Sequence, residues 1–154
     1  DLFTRVNNLR HRRLPPAERW SGFGNLFLLD HPAFVSLRVS RKATPDEREA
    51  IKQSVMREVM GGAVVVSPFI SPGEKEVAEM VMDMDHGNVI LMHAEGIGPY
   101  FKPHGRYFDA CARGRLLMLS GFPNTGRAMP LTRETCLTLN AWCAEIAGAL
   151  PSEC

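Results

Sequence analysis

Two short segments of this chain carry the same helix-start chemistry, and each follows a run of apolar residues. Thr44-Pro45-Asp46-Glu47 offers an N-cap hydroxyl, a proline suited to the first helical position and a glutamate that completes a capping box. Ser71-Pro72-Gly73-Glu74 repeats that pattern. Before the first lies Phe34-Val35-Ser36-Leu37-Arg38-Val39, which reads as a buried strand, and then a basic turn, Ser40-Arg41-Lys42-Ala43. Ile51, Val55 and Val59 form one apolar helical stripe, Gly61-Gly62 ends the helix, and Ala63-Val64-Val65-Val66 begins another strand. Strand, helix and strand in that order make a βαβ unit, which requires a parallel sheet and a crossover connection.

The rhythm continues to the end of the chain. Val77, Met80, Val81 and Met84 give the second helix its apolar face, and His86-Gly87 closes it. A strand from Asn88 to Met92 ends at His93, a helix runs from Gly105 to Ala112, and Leu116 to Leu119 is a further buried strand. The last helix runs from Thr132 to Gly148, with Leu139, Trp142, Cys143 and Ile146 on its buried face. This order predicts a three-layer α/β domain with an open, mainly parallel sheet of four to five strands. Its 154 residues, 45% of them apolar, suffice for one core. The domain is expected over residues 22–154, behind a basic N-terminal arm over residues 1–21. In that arm Arg5, Arg10, Arg12, Arg13 and Arg19 outnumber Asp1 and Glu18, as in a solvated segment. Trp20 to Gly24 reads as an aromatic turn, and Asn25 to Leu29 as a short apolar run docked on the domain.

Several function classes are excluded. The net charge of +1 gives no global nucleic-acid signature, so any basic surface is local. Cys111, Cys136, Cys143 and Cys154 form no CxxC and no zinc spacing, so no metal site is expected, and no other cofactor is assigned. Cys136 and Cys143 share a helix face as reduced packing residues, which suits a reducing, cytoplasmic setting. No run of about 18 apolar residues is present to cross a membrane. The Arg-rich start lacks the apolar core of a secretion signal. The dinucleotide GxGxxG, the phosphate-binding GxxxxGK[ST] and the nucleophile G-x-S-x-G patterns are all absent. No catalytic set is assigned.

Open parallel sheets bind ligands beyond the carboxyl ends of their strands. The loops expected there hold Ser40, Arg41 and Lys42; Ser67, Ser71 and Lys75; His93, Tyr100, Lys102 and His104; and Ser120, Arg127 and Arg133. Small hydroxyls and cations dominate, and their natural ligand is phosphate. The candidate phosphate or nucleic-acid contacts are Ser40, Arg41, Lys42, Ser67, Ser71, Lys75, Lys102 and Arg127, with Tyr100 and Phe101 to stack on bases. Glu74 and Glu95 are the acidic exceptions, and the acid/base groups to test if a reaction exists.

Gly24-Asn25-Leu26-Phe27-Leu28-Leu29, followed by Pro32, Val35 and Ser40-Arg41-Lys42-Ala43, resembles the Rossmann-like core of the DNA-processing protein A family (DprA, also called Smf). The likeness continues in order through Val64-Val65-Val66-Ser67, the Gly96 to Pro103 loop, Gly114-Arg115-Leu116-Leu117-Met118-Leu119-Ser120, and Phe122-Pro123 with Gly126. It covers about Gly22 to Asn140. The chain departs from the family pattern at Val39 and Pro68, where the family has glycine, and keeps only Glu74 of the family's Ala-Arg-Gly-Ile-Asp segment. The resemblance implies single-stranded DNA binding in DNA processing or recombination, a recombinase partner and homodimer formation. It gives Arg41 and Lys42 as phosphate contacts. Two other readings stay open: a small-nucleotide sensor or hydrolase of the same superfamily, and an interaction protein that kept the fold without the ligand.

Overall fold

A computed structural model describes residues 4–84, 87–125, 127 and 129–148. Asp1, His86, Gly126 and Cys154, which entered the sequence reading, lie outside the described residues. Among the described residues six strands form one sheet: β1 (Thr4–Leu9), β2 (Trp20–Gly24), β3 (Phe34–Ser36), β4 (Val64–Ser67), β5 (Val89–Met92) and β6 (Leu116–Ser120). Their order across the sheet is β1-β2-β6-β5-β4-β3. β3, β4, β5 and β6 run parallel, β2 is antiparallel to β6, and β1 is antiparallel to β2. Among the described residues four α-helices flank the sheet, α1 (Pro45–Met60), α2 (Pro72–Met82), α3 (Gly105–Ala112) and α4 (Arg133–Ala147), with a short 3-10 helix at Leu26–Asp30.

Side chains alternate between the two sheet faces, as the two-residue period of a strand requires. Val65, Val89, Leu91, Leu116 and Met118 join Val55, Val59, Val77 and Val81 in the core beneath α1, α2 and α3. Val64, Val66, Ile90, Met92, Leu117 and Leu119 join Leu139, Trp142 and Ile146 in the core beneath α4. This is the expected three-layer, Rossmann-like α/β arrangement, with helices on both faces. The capping box at α1 forms in full: Thr44 Oγ1 accepts from the Glu47 N–H at 3.1 Å, and Glu47 Oε1 accepts from the Thr44 N–H at 3.2 Å.

The sheet has one strand more than the upper expectation, and the additions lie at its amino-terminal edge. Part of the expected solvated arm is β1, and the expected aromatic turn is β2. β1 is an edge strand, so few apolar residues suffice. Arg5 lays its guanidinium over the Phe23 ring, 5.3 Å from the centroid, where other strands would place an apolar side chain. β2 is fully buried despite two glycines. These glycines permit close approach rather than a turn: a Cβ on Gly24 would lie 2.3 Å from the Leu116 carbonyl oxygen.

β3 is shorter than expected, and α2 explains why. The Leu37 N–H still donates to the Val66 carbonyl at 2.9 Å, but the chain then leaves β4. Both backbone groups of Val39 are taken by side chains at the start of α2. Glu74 Oε2 accepts from the Val39 N–H at 3.0 Å, and Ser71 Oγ donates to the Val39 carbonyl at 2.7 Å. The second helix start therefore departs from the capping box expected of it. Ser71 Oγ accepts from the Glu74 N–H at 3.2 Å, but the Glu74 carboxylate turns to the Val39 and Ile70 amides instead of closing on Ser71.

Candidate functional site

β4 and β5 stop at Ser67 and Met92, and a cleft of about 680 Å³ opens where their loops diverge. This is the carboxyl edge of the parallel strands, and the volume falls in the range of small-ligand sites. Phe69, Phe101 and Tyr107 give it an aromatic lining, and Lys75, Lys102 and Arg106 give it positive charge. His93, His104, Glu79 and Glu95 complete the polar part of the wall.

Local geometry positions these groups. Phe69 sits at φ +54°, a left-handed conformation costly for a non-glycine residue. Its N–H donates to Ser67 Oγ at 3.2 Å, and its ring meets that of Tyr107 with centroids 6.2 Å apart. Phe101 packs edge-on against Phe23 and His93, at 5.9 and 5.6 Å between centroids, while its carbonyl accepts from Arg5. Lys102 Nζ lies 5.1 Å from the centroid of Phe108, a cation–π contact. Tyr107 Oη donates to Glu79 Oε2 at 2.6 Å, and Arg106 pairs with the same carboxylate at 3.4 Å and with Asp83 at 3.8 Å.

Burial, then the hydrogen bond to Glu79 and its negative charge, push the Tyr107 phenol from its ordinary 10.0 to about 12. The folded state therefore holds this proton more tightly than the unfolded chain. The stability so contributed is present below pH 10 and is lost as the pH rises through about 12. In a Tyr100→Phe background Tyr107 is the one remaining tyrosine. An ultraviolet titration of that variant is expected to show its midpoint near 12. Glu79→Gln removes the neighbouring charge and should move the midpoint down. A midpoint that does not respond to Glu79→Gln would contradict the pairing.

The residues expected as contacts separate into four groups. Lys75, Lys102 and Phe101 line the cleft. Arg41 stands at its rim, where Nη2 donates to the carbonyl of Ile70, itself a lining residue, at 3.4 Å. Ser40 accepts from the Lys42 N–H at 3.1 Å within the exposed turn, and neither residue lines the cleft. Tyr100 is 95% exposed and borders an adjoining groove with Gly96, Gly98, Pro99 and Asn124. Arg127 is exposed on the loop before α4, outside the cleft wall.

Ser67 and Ser71 are buried and spend their hydroxyls on backbone groups, so they hold loops in shape instead of facing a ligand. Ser120 does the same for the Phe122 N–H at 3.1 Å. Glu74 is 4% exposed, with its two oxygens on the Val39 and Ile70 amides, where it braces the chain. Val39 fills the space above the α2 start: a Cβ on Gly73 would fall 2.7 Å from Val39 Cγ1. Sequence reasoning missed Arg106, Tyr107, Glu79 and Phe69 as wall residues. The run from Phe101 to Phe108 interleaves aromatics with Lys102, His104 and Arg106, and that mixture was a usable signal.

Among the described residues no group of three or more His, Cys, Asp or Glu is placed to hold a metal ion. No helix among them is long and apolar enough to cross a membrane.

No protein-family model matches this chain, and no curated protein sequence matches it. Among solved structures, DNA processing protein A from Helicobacter pylori has the same fold, with a TM-score of 0.66 and 17% sequence identity. The likeness covers 94% of this chain and 66% of that one, so this chain spans just under two thirds of its length. That protein binds single-stranded DNA in a mode described as unique.

Proposed function

We propose that the cleft at the carboxyl edge of β4 and β5 binds single-stranded DNA. The observation that carries this reading is the combination of Lys75 and Lys102 with Phe101 and Tyr107 in one cavity wall. Cations suit a phosphate backbone and aromatic rings suit unstacked bases, and together they bind single strands with little regard for sequence. The Helicobacter pylori protein of similar fold, which binds single-stranded DNA, supports the reading. Arg41 extends the basic track at the rim. Participation in DNA processing, a recombinase partner, homodimer formation and a cytoplasmic location enter the proposal from the family resemblance and the cysteine pattern.

Fluorescence anisotropy with a labelled single-stranded oligonucleotide, repeated over a salt series, tests it. Affinity should fall steeply with salt because each phosphate contact releases counterions. The double variant Lys75→Ala, Lys102→Ala is expected to bind about tenfold more weakly and to flatten the logarithmic salt slope by about 1.4, two contacts' worth. An unchanged slope would remove both lysines from the interface. A second reading, a mononucleotide site, is favoured by the volume of about 680 Å³. Under that reading free mononucleotides displace the oligonucleotide at low concentration, whereas a strand-binding cleft resists them.

A further inference from the structure

The cleft contains a carboxylate that a phosphate site does not need. Glu79 is already engaged by Tyr107 and Arg106. Glu95 is different. It lines both the cleft and the adjoining groove, is half-buried, and its carboxylate has no hydrogen-bond or ion-pair partner among the described residues. Its backbone is held: the Glu95 N–H donates to His93 Nδ1 at 3.2 Å, and the His93 ring meets that of Phe101 at 5.6 Å. An ionised carboxylate only accepts hydrogen bonds, and it repels phosphate. The part of the ligand that meets Glu95 must therefore donate.

We infer that Glu95 reads guanine, so that the cleft prefers strands carrying that base. The inference rests on the single-stranded DNA reading above. Guanine presents two adjacent donors, N1–H and the 2-amino group, on its Watson–Crick edge, and a carboxylate accepts both at once. Thymine places one N–H between two carbonyl oxygens, which face the carboxylate unfavourably. Adenine and cytosine place one amino group beside an acceptor nitrogen. The Phe101 ring lines the same cleft and offers a face for the base, while Lys75 and Lys102 remain for the backbone.

The test uses three thymine oligonucleotides of equal length, in which isolated positions hold guanine, hypoxanthine or thymine. Hypoxanthine lacks the 2-amino group but keeps N1–H. The wild-type protein is expected to bind the guanine strand about tenfold more tightly than the thymine strand, with hypoxanthine between them. Glu95→Gln should bring the guanine and thymine strands within about threefold of each other. Equal, salt-dependent affinity of the wild type for all three strands overturns the guanine reading and leaves single-stranded DNA binding standing. A guanine preference that survives Glu95→Gln overturns Glu95 as its reader. No binding of any strand overturns both.

Discussion

A Gly24→Ala variant is expected to lose about 4 kcal/mol of folding stability, the sum of a strained backbone and a steric clash of similar size. Gly24 sits at φ +125°, where a side chain is disfavoured whatever the space around it. The space is also taken. An added Cβ would lie 2.3 Å from the Leu116 carbonyl oxygen, 3.1 Å from Leu117 Cα and 3.2 Å from Cys111 Sγ. That same carbonyl accepts from the Asn25 N–H at 3.1 Å, so displacing it disturbs the exit of β2 as well. Gly62→Ala is the natural comparison, because Gly62 has φ +100° but nothing within 4 Å of an added Cβ. It should lose about 2 kcal/mol, the backbone cost alone. Urea denaturation of both variants separates the two costs. Equal midpoints would mean that β2 does not approach β6 as closely as described.

Glu74→Ala is expected to cost about 3 kcal/mol. It strips the acceptors from the buried Val39 amide and the part-buried Ile70 amide, and an orphaned buried donor costs about 1–3 kcal/mol. Glu74→Gln keeps the shape and one acceptor oxygen, so it should cost about 1 kcal/mol. Denaturant midpoints for the pair check this. If Glu74→Ala proves neutral, the carboxylate does not brace the chain after β3, and a chemical role for it reopens. The effect reaches the site because Ile70 lines the cleft and its carbonyl accepts from Arg41.

The parallel half of the fold was legible because its signals are local. Thr44, Pro45 and Glu47 sit within one turn, and the valines of Val64 to Val66 are consecutive. The antiparallel half was hidden by its chemistry. β1 reads as an arm because Arg5 covers Phe23 in place of an apolar residue. β2 reads as a turn because Gly22 and Gly24 serve packing against β6. At the cleft, loop position alone pointed to Lys75 and Lys102, which line its wall. It could not separate hydroxyls that face a ligand from those that satisfy their own loop, as Ser67 and Ser71 do. Nor could it find the Tyr107–Glu79 bond, whose partners lie 28 residues apart and meet through the packing of α3 near α2.

Chemical-shift mapping by NMR during titration with a single-stranded oligonucleotide tests the proposed DNA-binding cleft most directly. At 17.1 kDa the chain is well suited to amide spectra. The shifts should concentrate on Phe69, Lys75, His93, Glu95, Phe101, Lys102 and Arg106, the residues that surround the cavity. Shifts that gather instead around Leu9, His11, Phe27 and Asp30, which line a separate cavity, would contradict it.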